Sequence, residues 1–244
     1  MNNSYVLIIT RNIFMSKRLS YNPNLRVSFE NSFEGLEVLP FQNGWVVEYM
    51  QSIHSTLCKA INQYPRTYAV RFELMFPQDV EVKHDDAVIT RFIASLKAKL
   101  CHNMKTRADD GRRVHPCTLR YVWCKEKNSS LNYHYHMLIF FNRDTYKWLG
   151  QVDLNNDSLL STRIAKAWNS ALGLGPHWQK HSVHYPRSNE YHIDTNSECY
   201  IPSINDLFRR ASYLAKVDTK IYANSPGNEF ELNTPGRSFG CSQR

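Results

Sequence analysis

Glycine is scarce in this chain: only nine of the 244 residues are glycine, and no phosphate-binding loop of the GxGxxG or GxxxxGKS/T type occurs. An ATPase or a dinucleotide-dependent enzyme is therefore disfavoured, because those loops bring backbone N–H groups to the phosphates. The six cysteines form no CxxC pair and no short-spaced framework, which favours reduced thiols over a disulfide scaffold. No apolar run reaches membrane length. We expect a globular, cytoplasmic protein with no membrane partner.

What the sequence does carry is an excess of positive charge. Lys and Arg number 30 against 22 Asp and Glu, which gives a net charge of +8. Residues 97–127 hold nine basic and three acidic side chains, so most of the excess lies in this segment. Concentrated positive charge steers and holds a polyanion, which makes nucleic acid the first partner to test. A solvated loop between two elements is the alternative interpretation of the same segment.

The spacing of apolar residues predicts a mixed α+β chain. Between residues 67 and 185 the order of elements is β-α-β-β-α-β, which is typical of a ferredoxin-like, split-βαβ antiparallel sheet whose third strand lies at the centre. Residues 1–62 form a predicted N-terminal helical addition, 63–224 the main domain, and 225–244 a loosely ordered tail. The predicted helices span 45–61, 85–100, 158–172 and 205–222, and the predicted strands span 67–76, 118–126, 132–141 and 182–185.

The predicted central strand contains two histidines in the stretch NYHYHMLIFF. His134 and His136 are two residues apart, so both point to the same face of the sheet. If the numbers of directly paired residues in the hairpin add up to an even number, Glu126 of the preceding strand points to the same face as the two histidines. Two imidazoles and one carboxylate leave coordination positions for water and a phosphate oxygen, a mixed set that suits Mn²⁺ or Mg²⁺. Glu73, on the strand at the other side, is the alternative third ligand, although pairing with Arg71 or another basic neighbour is its expected role.

The last predicted helix supplies a candidate nucleophile. It contains RRASYLAKVDTK, in which Tyr213, Lys216 and Lys220 are spaced to share one helical face. A phenol attacks phosphorus only when it is activated. A nearby metal ion and a lysine cation can stabilise both the phenolate and the charge that develops on the phosphate. Ordinary packing of the tyrosine ring with surface lysines is the alternative.

A second group of histidines follows the predicted helix at 158–172. His177, His181, His184 and His192 could in principle bind a metal, but Pro176 and the change from helix to strand prevent a common face. Stacking of aromatic rings on nucleic-acid bases is the other function that this group suggests.

Taken together, a carboxylate on one strand, an HYH on the next and a downstream Tyr-x-x-Lys resemble the HUH endonuclease superfamily. The chain is more closely similar to the inovirus-type, gene-two-like replication initiators of phages and prophages. The resemblance covers about residues 60–222. The segments that carry it are YAVRFELMFP (68–77), Glu126 with HYHMLIFFN (134–142), AWNSALGL (167–174), VHYP (183–186) and RRASYLAKVDTK (209–220).

The resemblance implies a site-specific enzyme that nicks and rejoins single-stranded or extruded hairpin DNA at a replication origin. Tyr213 would attack the phosphate, leaving a 5′-phosphotyrosine and a free 3′-hydroxyl that primes rolling-circle synthesis, and Lys216 would assist. Because no ATPase motif is present, a separate helicase and the host polymerase are expected partners. Two departures from the family pattern are Val217, where some members carry a second tyrosine, and Glu73, where an aspartate is usual.

Basic side chains near these motifs are the expected DNA contacts. A DNA-binding regulator with an inactive site on the same scaffold is the alternative function, and a metal phosphoesterase that activates water is a third. The predicted DNA-binding residues are Arg107, Arg112, Arg113, Lys125, Lys127, Arg209, Arg210 and Lys220.

Overall fold

The computed structural model describes residues 16–20, 22–77, 80, 82, 85, 87–127, 133–175, 178, 182–218, 220 and 237–243. In this part of the chain the fold is a mixed α+β arrangement of antiparallel sheets with four α-helices. The α-helices are α1 (Val47–Gln63), α2 (Val88–Asp109), α3 (Leu160–Leu172) and α4 (Tyr200–Ala211), and a 3₁₀ helix (Ser212–Ala215) follows α4. The strands are β1 (Lys17–Leu19), β2 (Asn22–Ser28), β3 (Ser32–Phe33), β4 (Leu36–Glu37), β5 (Trp45–Val46), β6 (Arg66–Met75), β7 (Arg120–Lys127), β8 (Tyr133–Asn142), β9 (Val183–His184), β10 (Glu190–Asp194) and β11 (Phe239–Cys241).

The main sheet has the order β10-β6-β8-β7-β11, and β9 also pairs with β6. Neighbouring strands are antiparallel throughout. From β6 to β9 the elements follow one another as β-α-β-β-α-β. The strand with the two histidines, β8, lies between β6 and β7, so its predicted central position is confirmed.

Side chains of β8 alternate between two hydrophobic cores. Tyr135 and Met137 point to the core formed with α2 and α3. Leu138 and Phe140 point to the opposite core, which α1 and α4 cover. The sheet is therefore buried on both faces, which explains why β8 is almost continuously apolar after its histidines.

The N-terminal addition differs from the helical segment that the sequence predicts. Strands β1, β2 and β5 form a separate three-stranded sheet, and β3 pairs with β4 before α1 begins. Leu25 and Val27 alternate inward on β2 and pack in a small core with Val46 and Val217. Strands β1, β3, β4 and β5 have only two or three residues, and β2 begins with the polar stretch Asn22-Pro23-Asn24, so their alternation does not stand out from the surrounding loops. Helix α1 packs against the main sheet through Met50 and neighbouring apolar side chains.

The end of the last predicted helix is also different. Helix α4 ends at Ala211, and the chain passes through the 3₁₀ helix into an extended conformation at Lys216. The physical reason is pairing with the N-terminal sheet: Lys216 forms a β-bridge with Trp45, and the Val217 N–H donates to the Gly44 carbonyl at 3.1 Å. The prediction of one helical face for residues 213, 216 and 220 is therefore wrong. Residues 219, 221 and 222 of that predicted helix lie outside the described residues.

Two further strands extend the sheet beyond its predicted limits. Strand β10 pairs with β6 at one edge, in a stretch for which the sequence predicts no regular element. Strand β11 pairs with β7 at the other edge, and Phe239 stacks on Tyr49 with ring centroids 4.2 Å apart. The predicted loose order of the tail is wrong for residues 237–243, because they satisfy the outer backbone groups of β7. Residues 225–236 of that tail lie outside the described residues. Among the described helices, none combines the length and apolar character needed to cross a membrane.

Trp168 should carry a large share of the stability of the α3 face. Its side chain is fully buried, it packs edge-on against Phe76 and Phe92, and its indole N–H donates to the Met75 carbonyl at 2.9 Å. We expect Trp168→Ala to lower the free energy of unfolding by about 3–5 kcal/mol in urea denaturation. Trp148→Ala is the matched control: its side chain is 60% exposed, so the loss should stay within about 0.5 kcal/mol. Equal losses in both variants would contradict this account of the core.

Candidate metal centre

The register of three strands places four ionisable side chains on one face of the sheet. Glu126 of β7 lies directly opposite His134 of β8. Glu73 of β6 lies directly opposite His136 of β8. Because side chains alternate along a strand, all four point to the face that α1 and α4 cover. The prediction that Glu126 shares the face of the two histidines is confirmed.

The ligand atoms of Glu126, His134 and His136 converge. The Nε2 atoms of the two histidines are 3.1 Å apart, and His136 Nε2 is 3.2 Å from Glu126 Oε2. One potential ligand atom from each residue lies within 4.8 Å of the others, and all three side chains are buried. Two imidazole nitrogens and one carboxylate could therefore hold a divalent metal ion.

Glu73 contacts the other nitrogen of His136 and so differs from Glu126 in its role. Its Oε1 is 3.2 Å from His136 Nδ1, and its Oε2 is 3.1 Å from His184 Nδ1. The hydrogen bond with His136 is the main reason that the pKa of Glu73 falls to about 2. A carboxylate that accepts from the second ring nitrogen orients a metal-binding histidine and raises its basicity. Glu73 is thus placed to position His136, with two histidines as partners instead of the expected basic neighbour Arg71.

His184 is a site residue that the sequence does not identify as one. It lies opposite Glu73 in the pairing of β9 with β6. The sequence predicts a strand that includes residues 183 and 184, but it contains no signal for the register that sets His184 beside Glu73. His192 instead stacks on Tyr68, with ring centroids 5.1 Å apart. His177 and His181 lie outside the described residues.

Two lysines bind the buried carboxylate of Glu126. Lys220 Nζ is 2.6 Å from Oε1, and Lys216 Nζ is 3.2 Å from Oε2. Burial alone would raise the pKa of Glu126, but the hydrogen bond with His136 and the charge of Lys220 outweigh it and hold the pKa below its ordinary value. Glu126 is therefore ionised, as a metal ligand must be.

The two histidines respond differently to this environment. Burial and the neighbouring His136 lower the pKa of His134, which keeps its ring neutral at pH 7. Burial also acts to lower the pKa of His136, but its hydrogen bonds with Glu126 and Glu73 raise it above the ordinary value of 6.5. A metal ion at His136 Nε2 would therefore compete with a proton up to a higher pH than a metal ion at His134 would.

Tyr213 lies beside the three possible ligands. It belongs to the 3₁₀ helix after α4, and its ring packs edge-on against the His136 ring with centroids 5.1 Å apart. Lys216 Nζ donates a hydrogen bond to the Tyr213 hydroxyl and also contacts Glu126. Lys216 thus joins the predicted nucleophile to the carboxylate of the predicted metal site.

Of the eight basic side chains predicted to contact DNA, Lys220 is the one for which the structure gives a contact with the metal centre, through Glu126. Lys125 and Lys127 alternate to the opposite face of β7 and lie over the Tyr133 ring, 4.3 and 5.1 Å from its centroid. Helix α2, which contains Arg107, also covers that opposite face. The remaining predicted residues are Arg112 and Arg113 beyond the end of α2, and Arg209 and Arg210 on α4.

Removal of one imidazole should weaken metal binding. We expect His134→Ala to weaken Mn²⁺ binding more than tenfold in calorimetric titration, since loss of even an outer-shell partner typically costs about 10- to 100-fold. His192→Ala is the matched control, because His192 lies exposed on the same sheet and away from the centre. Identical Mn²⁺ isotherms for the two variants would rule out this metal site.

Removal of the Glu126 charge should destabilise the protein even without metal. Glu126→Gln leaves the ammonium groups of Lys216 and Lys220 buried without their counter-ion, which should lower the free energy of unfolding by about 3–5 kcal/mol. Asp144→Asn is the control: it breaks the more exposed 2.5 Å pair of Asp144 with Arg66, so the loss should be at most about 1 kcal/mol. Urea denaturation in EDTA measures both, and a small effect at Glu126 would show that the lysines do not depend on it.

Comparison with known proteins places the chain in a family. The model of the YagK/YfjJ C-terminal domain family matches residues 28–242. The uncharacterised protein YagK of Escherichia coli (strain K12) is 34% identical over 206 residues, which cover 81% of this chain and 93% of YagK. The uncharacterised protein YfjJ of the same strain is 32% identical over 205 residues, 80% of this chain and 93% of YfjJ. No solved structure matches the chain significantly. The chain is therefore a member of the YagK/YfjJ C-terminal domain family.

Proposed function

We propose that the protein is a metal-dependent HUH endonuclease that nicks and rejoins single-stranded DNA through Tyr213. The observation that carries the proposal is one contact set: Lys216 bonds the Tyr213 hydroxyl and Glu126, and Glu126 converges with His134 and His136. A phenol, a cation and a possible metal site on one face of a sheet are the groups that phosphoryl transfer to tyrosine requires.

The strand order supports the same proposal at the level of the fold. The elements β9-β6-β8-β7 with α2 and α3 on one face have the order of a ferredoxin-like, split-βαβ unit. Strand β11 extends this unit at the β7 edge, and β10 pairs with another part of β6 than β9 does. In the proposed enzyme the two histidines lie on the third strand of that unit, and the tyrosine follows its last strand in sequence.

The charges at the centre suit an anionic substrate. Glu73, Glu126, Lys216 and Lys220 carry two negative and two positive charges, which cancel when both imidazoles are neutral, as metal ligands must be. A divalent ion would therefore leave the centre with two uncompensated positive charges. One phosphodiester and one tyrosine phenolate would balance them.

In the proposed reaction the Tyr213 oxygen attacks the phosphorus and the bond from phosphorus to the 3′-oxygen breaks. The phenol loses its proton, the 3′-oxygen gains one, and the phosphate stays on the 5′ side as a phosphotyrosine. Mn²⁺ or Mg²⁺ held by His134, His136 and Glu126 would supply positive charge to the scissile phosphate. Lys216 holds the hydroxyl in place and stabilises its anionic form.

Because the phosphotyrosine keeps the energy of the broken ester, rejoining needs no nucleotide cofactor. The released 3′-hydroxyl can prime DNA synthesis, so the proposed role is initiation of rolling-circle replication of a phage-like element in the bacterial cytoplasm. Unwinding and synthesis would come from a separate helicase and the host polymerase.

One observation favours a second candidate, a DNA-binding regulator with an inactive site. Lys216 and Lys220 both pair with Glu126, so the buried carboxylate does not need a metal ion as its counter-ion. Such a regulator would bind DNA with an affinity that falls as salt rises. Its affinity for DNA would be the same with and without Mn²⁺ and after His134→Ala.

Tyr213→Phe should abolish a covalent protein–DNA adduct. The substrate is a random-sequence pool of single-stranded oligonucleotides labelled at the 3′ end, incubated with the protein and Mn²⁺ and resolved on a denaturing gel. The label should migrate with the protein, because a 5′-phosphotyrosine retains the 3′ fragment. Tyr121→Phe is the matched control, since Tyr121 lies on β7 and packs with the core on the other face, and it should form the adduct at the wild-type level.

The other outcomes separate the alternatives. Cleavage without an adduct in both tyrosine variants would indicate an activated water and a phosphoesterase. An adduct that carries only a 5′-end label would reverse the proposed polarity. DNA binding that neither cleaves nor responds to Mn²⁺ would favour the regulator.

A further inference from the structure

A second cleft lies on the far side of the sheet from the metal centre. It has a volume of about 570 Å³ and opens between α2 and the start of α3. Helices α2 and α3 pack on the sheet face opposite His134 and His136, so the two sites do not share a surface. A concave site of this volume is large enough for a nucleotide-sized ligand. We call it the α2–α3 cleft; the residues that define it here are Lys99, Asn103, Arg107, Arg112, Arg163 and Lys166.

The walls of the α2–α3 cleft are strongly basic. Five cationic side chains line it, against the two carboxylates of Asp110 and Asp157. Asp157 is already bound by Lys166 at 2.6 Å, and that bond together with the charges of Arg163 and Lys99 lowers the pKa of Asp157. Positive charge on a concave wall concentrates anions more effectively than the same charge on an open surface.

Arg163 is the residue that distinguishes this cleft from an ordinary basic surface. It is only 7% exposed, yet it lines the cleft. Within the described part of the chain its guanidinium donates to the Ser158 carbonyl at 3.0 Å and forms no ion pair with a carboxylate. A guanidinium has five N–H donors and retains its charge, and a buried charge is costly unless it is paired.

The neighbours of Arg163 act on its charge in opposite directions: Tyr146 and Asp157 favour the charged form, whereas Arg107 opposes it. Arg107 donates to the Thr145 carbonyl at 3.2 Å and acts on Arg163 as a second positive charge. Lys166 is nearly buried and is neutralised by Asp157, whose own side chain is 75% exposed. With five cationic side chains and only two carboxylates lining the cleft, a bound anion would supply negative charge that the walls lack.

We propose that the α2–α3 cleft binds the phosphate groups of a ligand, with Arg163 at its base and Lys99 and Arg112 at its rim. Two oxygens of one phosphate can accept two parallel N–H bonds from the planar guanidinium, which is why arginine recurs at phosphate sites. Free polyphosphates and nucleotides are one source of such groups, and the backbone of duplex DNA is the other. The inference is independent of the metal centre and of the proposed nicking activity.

A pair of double variants tests the cleft. Lys99→Glu/Arg112→Glu reverses two charges that line it, and Lys105→Glu/Arg113→Glu reverses two exposed charges on or just beyond the same helix that do not. Binding of pyrophosphate and ATP is measured by calorimetry, and binding of a labelled 20-base-pair duplex by anisotropy, all with full-length protein in EDTA. Arg163→Gln is a third variant, and circular dichroism checks that each variant is folded.

The expected result is at least tenfold weaker binding of one phosphate probe by the cleft variant than by the control variant. Pyrophosphate or ATP affected in this way identifies a free phosphate ligand. If only binding of the duplex is weakened, the ligand is the DNA backbone. The slope of the logarithm of the binding constant against the logarithm of the salt concentration should then be about 2 smaller, because two phosphate contacts are lost. Equal affinities of the cleft and control variants for all three probes would overturn the proposal. Because no metal ion is present, failure of the nicking assay would not affect this result.

Discussion

The antiparallel register of β6, β8 and β7 decides which side chains can meet in this molecule. It sets Glu73 opposite His136 and Glu126 opposite His134, all on one face. A shift of β8 by one residue would turn both histidines into the core beneath α2 and α3. It would also move each apolar side chain of β8 to the opposite face of the sheet. The cost of such a shift is large because both faces of β8 are buried. The hydrophobic pattern of the strand therefore holds the geometry of the candidate metal centre.

Glu126 connects this register to the rest of the chain. A fully buried carboxylate loses several kcal/mol of hydration, so it must be paired. Its partners Lys216 and Lys220 come from the segment after α4, and Lys220 also forms a β-bridge with Glu126. The same segment pairs with Gly44 and Trp45 of the N-terminal region. Because the ion pairs with Glu126 hold this segment at the site, Tyr213 lies next to the histidines and the N-terminal sheet is connected to the site.

Local patterns in the sequence were sufficient for the interior of the main sheet. The sequence places His134, His136 and Glu126 correctly on one face. The two histidines are two residues apart on one strand, and a single hairpin pairs that strand with the strand of Glu126. Features that depend on distant pairing were not predictable in this way. The end of α4 at Ala211 depends on bridges to residues about 170 positions earlier in the chain, and β11 is recognisable only once the free edge of β7 is known. His184 entered the site for the same reason, through the β9–β6 pairing.

Charged side chains are arranged differently on the two faces of the sheet. At the metal centre itself, Glu126 pairs with Lys216 and Lys220 and Glu73 pairs with His136, so additional positive charge at these residues would come from a bound ion. On the other face, α2 and the residues after it carry much of the excess of segment 97–127, and Arg163 of α3 adds a buried cation without a carboxylate partner in the described residues. The two proposals therefore assign different tasks to the two faces: the first would need a bound metal ion to activate a phosphate, whereas the second would hold phosphates without one. A ligand that spans both would have to pass around an edge of the sheet, at β10 or β11.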